Sequence, residues 1–249
     1  MDKTRVSIVS YLNSKPFLYG LRNSGITDQI EISIDIPSKV ASKLRHGATD
    51  IGLIPVGALS DLGQFNIIGD HCIGAHGNVR TVVLASDVPL SDIDTILLDY
   101  ESRTSVLLVR VLARFFWGRE FTYRQTCIGY ENKSIGGSTA GVVIGDRVFN
   151  VEKKYLYTID LSEEWVKCAG LPFVFAVWVS NKNVSEQFQK DFNHALDYGI
   201  KNISEIVRLE RENYPDIDIQ DYFFRNLNFM LDENKKAGMN KFIRLVKEL

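Results

Sequence analysis

The residues whose types and spacing most suggest chemistry are Ser10, Tyr11, Leu12, Asn13 and Ser14, followed at once by Lys15 and Pro16. They come straight after the apolar run Val6–Val9, which reads as a buried strand. Pro16 suits the first turn of a helix, where a missing N–H is harmless. A strand–turn–helix joint of this kind offers hydroxyls, a carboxamide and helix-end N–H groups to an anionic small molecule. The same residues also serve a plainer purpose, in which Asn13 and Ser14 only cap the helix.

Four further strand-end loops carry polar groups. Pro55-Val56-Gly57 follows the apolar run Ile51–Pro55, and its Gly permits close backbone approach. Arg80 and Thr81 lie just before Val82-Val83-Leu84; an Arg there would clamp a carboxylate bidentately, or would simply be a surface charge. Asp99–Ser105 joins a strand to an amphipathic stretch. Thr104 and Ser105 would occupy the first turn of that helix, where hydrogen bonds to a charged partner are worth about 1.5–3 kcal/mol each. The competing role is N-capping by Ser102 or Thr104. Gly145-Asp146 follows Val142–Ile144, and Asp146 would orient a ligand hydroxyl, close a salt bridge or act as a turn residue.

Other chemistries find little support. His46, His71, His76 and His194 show no metal-ligand spacing, and Cys72, Cys127 and Cys168 show neither a C-x-x-C pair nor an even count. Gly136–Gly141 lacks the Gly-Lys-Ser/Thr ending of a phosphate-binding loop. No metal and no organic cofactor is expected. The net charge of −2 leaves no basic footprint for nucleic acid, and no apolar run is long enough to span a bilayer. The start, Met1-Asp2-Lys3-Thr4-Arg5, lacks the apolar stretch of a signal peptide, so a cytoplasmic location is expected. Assembly as a homodimer is left open by scattered surface apolar residues.

The elements that must position these loops alternate between strand and helix. Strands are predicted at 5–9, 30–35, 51–55, 66–68, 81–86, 95–99, 141–144 and 173–179. Helices are predicted at 16–22, 38–45, 104–117, 185–198, 203–213, 221–231 and 239–247. Such alternation predicts an α/β fold with mostly parallel sheets. A polar, Pro-containing connection near Ser86–Ser91 and a strand-free, helical last quarter suggest two lobes. Residues 1–88 with 178–249 would form the first and 89–177 the second, with a hinge at two crossings near Ser86–Leu90 and Val177–Ser180. Ligands in such folds lie between lobes, at the C-terminal ends of strands.

Taken in order, several segments resemble chorismate dehydratase, an enzyme family of the futalosine route to menaquinone. They are Ser10–Pro16, Asp50–Val56, Val79–Leu84, Asp99–Ser105, Ile144–Asp146, Asp160-Leu161 with Glu164-Trp165, and Gly170–Ala176. The resemblance runs nearly end to end. It implies the two-lobed type II periplasmic-binding-protein fold with a ligand cleft, used as an enzyme. It also implies a reaction that removes water from chorismate to give 3-[(1-carboxyvinyl)oxy]benzoate. Asn13 matches the family's polar residue near the reacting ring, and Thr81 stands where Ser is common; these two are the catalytic candidates. Substrate contacts are expected from Ser10, Tyr11, Leu12, Pro55, Val56, Arg80, Ser102, Arg103, Thr104, Ser105, Gly145, Asp146 and Phe173. One chorismate carboxylate would sit on the Ser102–Ser105 helix start and the other near Arg80, Thr81 or the first loop. The chain departs from the family at Arg147-Val148-Phe149, where small residues are more common, and at Ala169, where Thr is common. Three rivals remain: the sister enzyme forming 1,4-dihydroxy-6-naphthoate, for which a His would be needed; a non-catalytic small-acid binding protein; and an inactive relative that binds chorismate-like acids without turning them over.

Overall fold

A computed structural model describes residues 3–249. Eleven strands are found among them: β1 (Thr4–Val9), β2 (Ile30–Asp35), β3 (Ile51–Pro55), β4 (Asn66–Ala75), β5 (Val82–Ser86), β6 (Thr95–Leu98), β7 (Thr122–Gln125), β8 (Thr139–Ile144), β9 (Tyr157–Asp160), β10 (Phe173–Ser180) and β11 (Asn228–Met230). The helices are α1 (Lys15–Asn23), α2 (Pro37–Arg45), α3 (Thr104–Leu112), α4 (Tyr130–Lys133), α5 (Val148–Val151), α6 (Leu161–Ala169), α7 (Glu186–Lys201), α8 (Ile203–Glu210), α9 (Ile219–Asp221) and α10 (Glu233–Lys247). No helix among the described residues is long and apolar enough to cross a membrane.

The backbone forms two compact units. The first holds the residues up to Gly74 together with Val174–Asp232; the second holds Ala75–Phe173 with Glu233–Leu249. The chain therefore passes between them three times, not twice, and the expected boundaries move. The expected boundary at residue 88 places Val82–Ser86 in the first lobe, yet β5 pairs with β8 and β9 and so belongs to the second sheet. The last helix, α10, also joins the second unit, because Phe242 packs on Trp165 and Phe173 with ring centroids 6.0 and 5.1 Å away.

The first sheet runs β11-β4-β10-β3-β1-β2. β1, β2 and β3 are parallel, while β10 lies antiparallel to β3 with Ala176 opposite Pro55. The C-terminal ends of β1 and β3 and the start of β10 thus share one edge. The core beneath is aromatic: Phe17, Trp178, Phe192 and Phe229 meet edge-on at centroid distances of 5.0–5.7 Å. Helix α7 braces the start of α1 through two glycines. A Cβ on Gly199 would overlap the carbonyl of Pro16, and one on Gly20 would overlap that of Ala195. Only glycines let the two backbones approach so closely.

The second sheet runs β7-β6-β8-β5-β9. β6, β7 and β8 are parallel; β5 is antiparallel to β8 and to β9. Both sheets are therefore mixed, and the expectation of mostly parallel sheets is corrected. β5 runs antiparallel to both of its neighbours, and β10 runs antiparallel to β3. A second correction concerns 221–231, expected as one helix. It is instead a π-turn (Tyr222–Asn226) followed by β11, whose pairing with β4 satisfies the backbone that a helix would otherwise satisfy.

Candidate functional site

In the first unit the candidate residues gather at one edge of the sheet. Ser10 leaves β1 with its N–H bonded to the carbonyl of Asp35 (3.0 Å), which ties the turn to the neighbouring strand. Leu12–Ser14 form a single 3₁₀ turn, closed by the Ser14 N–H on the Tyr11 carbonyl (3.1 Å), and Pro16 sits in the first turn of α1 as expected. Leu12 and Ser14 are buried, Tyr11 and Asn13 half-buried, and Ser10 exposed. The Ser14 hydroxyl donates to Asn13 Oδ1 (3.0 Å), so the carboxamide presents Nδ2 as its donor end. Neither Asn13 nor Ser14 caps a helix with its side chain. Lys15 is held away by an ion pair to Glu210 (2.6 Å). Pro55 and Val56, both buried, lie at the end of β3 on the same edge as Ser10.

In the second unit, sheet pairing brings four loops to one edge. Thr81 precedes β5, and its carbonyl accepts the N–H of Gly145 (2.9 Å) at the end of β8. Gly145 takes φ +63°, a left-handed conformation suited to glycine. Asp160 ends β9 and organises this edge. Its Oδ2 accepts the N–H groups of Val79 (3.0 Å) and Arg80 (2.7 Å), and its Oδ1 accepts those of Ser162 (3.0 Å) and Glu163 (2.9 Å) at the start of α6. Burial pushes the Asp160 carboxyl up to about 6, against the pull of the four N–H donors.

Arg80 is the only non-glycine residue among those described with a positive φ, at 65°. Its guanidinium is forked onto Glu152 (Nη2–Oε1 2.8 Å, Nε–Oε2 3.2 Å) and lies 5.3 Å over the Phe149 ring. The bidentate face expected for a substrate carboxylate is therefore directed at a carboxylate of the protein itself. Thr81 is buried, with its hydroxyl 3.5 Å from the carbonyl of Val79.

At the start of α3, the Ser102 hydroxyl accepts the N–H of Ser105 (3.0 Å), so the capping role falls to Ser102 and not to Thr104. Thr104 and Ser105 are buried and Arg103 is exposed. The preceding turn is closed by Asp99, whose Oδ1 accepts the N–H of Glu101 (2.9 Å). Phe173 is fully buried between Trp165 and Phe242, so it belongs to the core of the second unit.

The most connected residue of this edge escaped the sequence. Arg147 reaches Asp99 (2.8 Å), Glu101 (3.2 Å) and Glu131 (3.6 Å), and its guanidinium lies 4.9 Å over Tyr100. Asp99, with no exposed side-chain surface, also accepts from the Tyr130 hydroxyl (3.0 Å). Burial raises the Asp99 carboxyl above the usual range even beside Arg147. For Arg147 burial acts to lower the pKa, and the carboxylates of Asp99 and Glu101 outweigh it and raise it. The only sequence signal was that Arg147 breaks the run of small residues.

Two histidines are engaged elsewhere. His71 is buried in β4, with Nε2 2.9 Å from Asp197 and Nδ1 3.3 Å from Asn193. His76 Nε2 lies 3.1 Å from Nζ of the buried Lys235.

Residues 4–248 match the family described as menaquinone biosynthesis. The chain belongs to that family. Solved structures show the fold. Protein AF1704 from Archaeoglobus fulgidus is 15% identical, with a TM-score of 0.78 over 99% of this chain and 97% of that one. The CA3427 gene product of Candida albicans, described as having the generic periplasmic binding protein fold, is 14% identical (TM-score 0.70; 100% and 91% covered). The aliphatic sulphonate binding protein SsuA of Escherichia coli is 11% identical (TM-score 0.64; 100% and 92% covered). The menaquinone-family chain thus carries the periplasmic-binding-protein fold expected from its sequence.

Proposed function

We propose that this member of the menaquinone-biosynthesis family is a chorismate dehydratase. The observation that carries the reading is the Ser10–Ser14 turn, which holds the Asn13 carboxamide with Nδ2 as donor at the C-terminal end of β1. A donor fixed in this way suits a departing hydroxyl. It cannot act as a base, because a carboxamide has no proton acceptor in the useful pH range.

In the proposed reaction the ring C–H at the carbon bearing the enolpyruvyl ether breaks, and the C–O bond of the neighbouring hydroxyl breaks. The C–H electron pair becomes part of the aromatic ring. The substrate's own enolpyruvyl carboxylate takes the ring proton, and Asn13 Nδ2 hydrogen-bonds the leaving oxygen, which departs as water once that proton reaches it. Aromatisation supplies the drive, so the protein chiefly positions the substrate. Substrate contacts are assigned to Ser10, Tyr11, Leu12, Pro55 and Val56 in the first unit. In the second they are assigned to Arg103, Thr104, Ser105, Gly145 and Asp146, with the Thr81 hydroxyl beside them. Arg80 and Ser102 serve through the loops they brace. The sister reaction, for which a His would be needed, has His71 and His76 as its candidates; His71 is buried within β4, and His76 lies 3.1 Å from the Lys235 ammonium.

The test is incubation of the EDTA-treated protein with chorismate, followed by chromatography and mass measurement. Loss of one water with a new benzoate-type absorbance is expected. No turnover, with chorismate still raising the melting temperature, would make the chain a binding protein. Neither response would exclude chorismate and direct the assay to cyclised futalosine.

A further inference from the structure

In the second unit, Arg110, Arg114 and Arg119 line a groove of about 760 Å³ together with Phe121 and Tyr123, and Glu120 is the one acidic side chain in its wall. The chain as a whole carries a net charge of −2, so three guanidiniums on one groove run against its average. None of the three is ion-paired to a carboxylate side chain among the described residues, a state they share with several other surface arginines such as Arg22 and Arg124.

The guanidiniums are held in place by uncharged groups. Arg110 lies 5.0 Å over the Tyr123 ring and Arg119 lies 5.1 Å over Phe121. Arg119 also donates to the carbonyls of Leu90 and Ile93 (the latter 3.3 Å), which fix its position without neutralising it. Arg114 already holds an oxygen, the main-chain oxygen of Leu249, at 2.7 Å. Arg110 and Arg114 are four residues apart, with Cβ atoms expected about 5–6 Å from each other, and like charges at that spacing repel. Between Ala113 and Trp117 the helix widens into a π-turn, a feature frequent at functional sites, and Gly118 (φ +60°) then turns the chain so that Arg119 joins the groove.

Ring-stacked guanidiniums with no side-chain carboxylate partner, one of them already holding an oxygen, suit an anion that spans more than one of them. Arginine forks bind phosphoryl oxygens bidentately, and adjacent phosphoryl groups match neighbouring forks. We infer that this groove binds a diphosphate group, separately from the loops assigned to the dehydratase reaction. The Leu249 oxygen occupies the position of one phosphoryl oxygen.

Calorimetric titration of the full chain with inorganic pyrophosphate tests this. Saturable binding is expected, weakening as salt rises and falling about tenfold or more in Arg110→Gln/Arg114→Gln, whose melting temperature stays at the wild-type value. Citrate, with carboxylates in place of phosphoryl groups, is expected to bind more weakly. Vesicles carrying a lipid diphosphate identify the bearer. Sedimentation of the protein with them, reversed by pyrophosphate, assigns a lipid; binding of free pyrophosphate alone assigns a soluble molecule. Either upholds the site. No saturable binding, equal binding by the double variant, or citrate binding as tightly as pyrophosphate would overturn it. If the double variant melts early, Arg119→Gln supplies the same comparison.

Discussion

The Arg147 guanidinium lies 2.8 Å from the carboxylate of Asp99, a side chain with no exposed surface. This pair ties the turn after β8 to the turn after β6, and Glu101 and Glu131 add two more carboxylates around the same cation. Removing one partner of a buried pair leaves the other uncompensated, at about 3–5 kcal/mol. Arg147→Met is therefore expected to lower unfolding stability in urea by about 3 kcal/mol. Adding Asp99→Asn should recover part of that loss, since it removes the most deeply buried of the stranded charges. Additive losses in the double variant would show that the two residues do not act as a pair.

Arg80 combines a side chain in an ion pair with a backbone in the left-handed region. The two contributions separate cleanly by substitution. Arg80→Ala loses the Glu152 pair and keeps the strained φ. Arg80→Gly loses the same pair but relieves the strain, which costs a non-glycine residue of order 1 kcal/mol. Arg80→Gly is expected to be the more stable of the two by about 1 kcal/mol in denaturant unfolding. The reverse order would mean that Asp160 does not impose the loop conformation through its bonds to the Val79 and Arg80 N–H groups.

Much of the framework was legible in the residues. β2 and β3 fall where the apolar runs end in turn-forming residues, at Ile30–Asp35 and Ile51–Pro55. The strands that were missed lie at sheet edges. β7 reads Thr-Tyr-Arg-Gln and is largely exposed, β9 is exposed at Tyr157 and Thr158, and β11 spans three residues. Such strands bury too little to leave an apolar period, and strand direction depends on connections that no local pattern carries. The loops of the candidate site were visible because each adjoins an apolar run. Their bracing was not. Glu152 lies 72 residues from Arg80 and Asp99 lies 48 from Arg147, separations at which pairing is decided by the fold alone.

Acid should loosen the start of the first sheet. Arg5 donates to Asp50 from its main chain (2.9 Å) and from its guanidinium (2.8 and 3.2 Å), and Lys182 lies 3.2 Å away. Hydrogen bonds from Arg5 hold the Asp50 carboxyl at about 2, below its ordinary 3.8. A depressed carboxylate stabilises the native state above the unfolded value, and that stability is lost as pH falls through the folded value. The interval between 3.8 and about 2 sets a ceiling near 2.5 kcal/mol, and the half-exposed Arg5 brings the expected contribution to about 1–2 kcal/mol. Asp50→Asn should therefore be less stable than the wild type by about 1–2 kcal/mol at pH 6. That gap should narrow between pH 4 and pH 2 in chemical denaturation. A gap independent of pH would assign the loss to packing and not to the carboxylate charge.

Asn13 accepts the Ser14 hydroxyl at its amide oxygen, which leaves its amide nitrogen to donate. If that donor stabilises the oxygen leaving chorismate, it acts chiefly in the transition state. Loss of a preorganised donor of this kind lowers kcat by about 10²–10³-fold. Asn13→Ala is expected to show that fall in kcat while calorimetry still records chorismate binding. Asn13→Asp keeps the size of the side chain but turns the donor into an anionic acceptor facing a dicarboxylate. It should therefore lose kcat by at least as much and also bind chorismate more weakly. Ser14→Ala removes only the bond that fixes the amide, so it should lie between wild type and Asn13→Ala, with kcat reduced more than KM is raised. An Asn13→Ala protein that kept full turnover would remove the carboxamide from the mechanism and leave the turn as a structural joint.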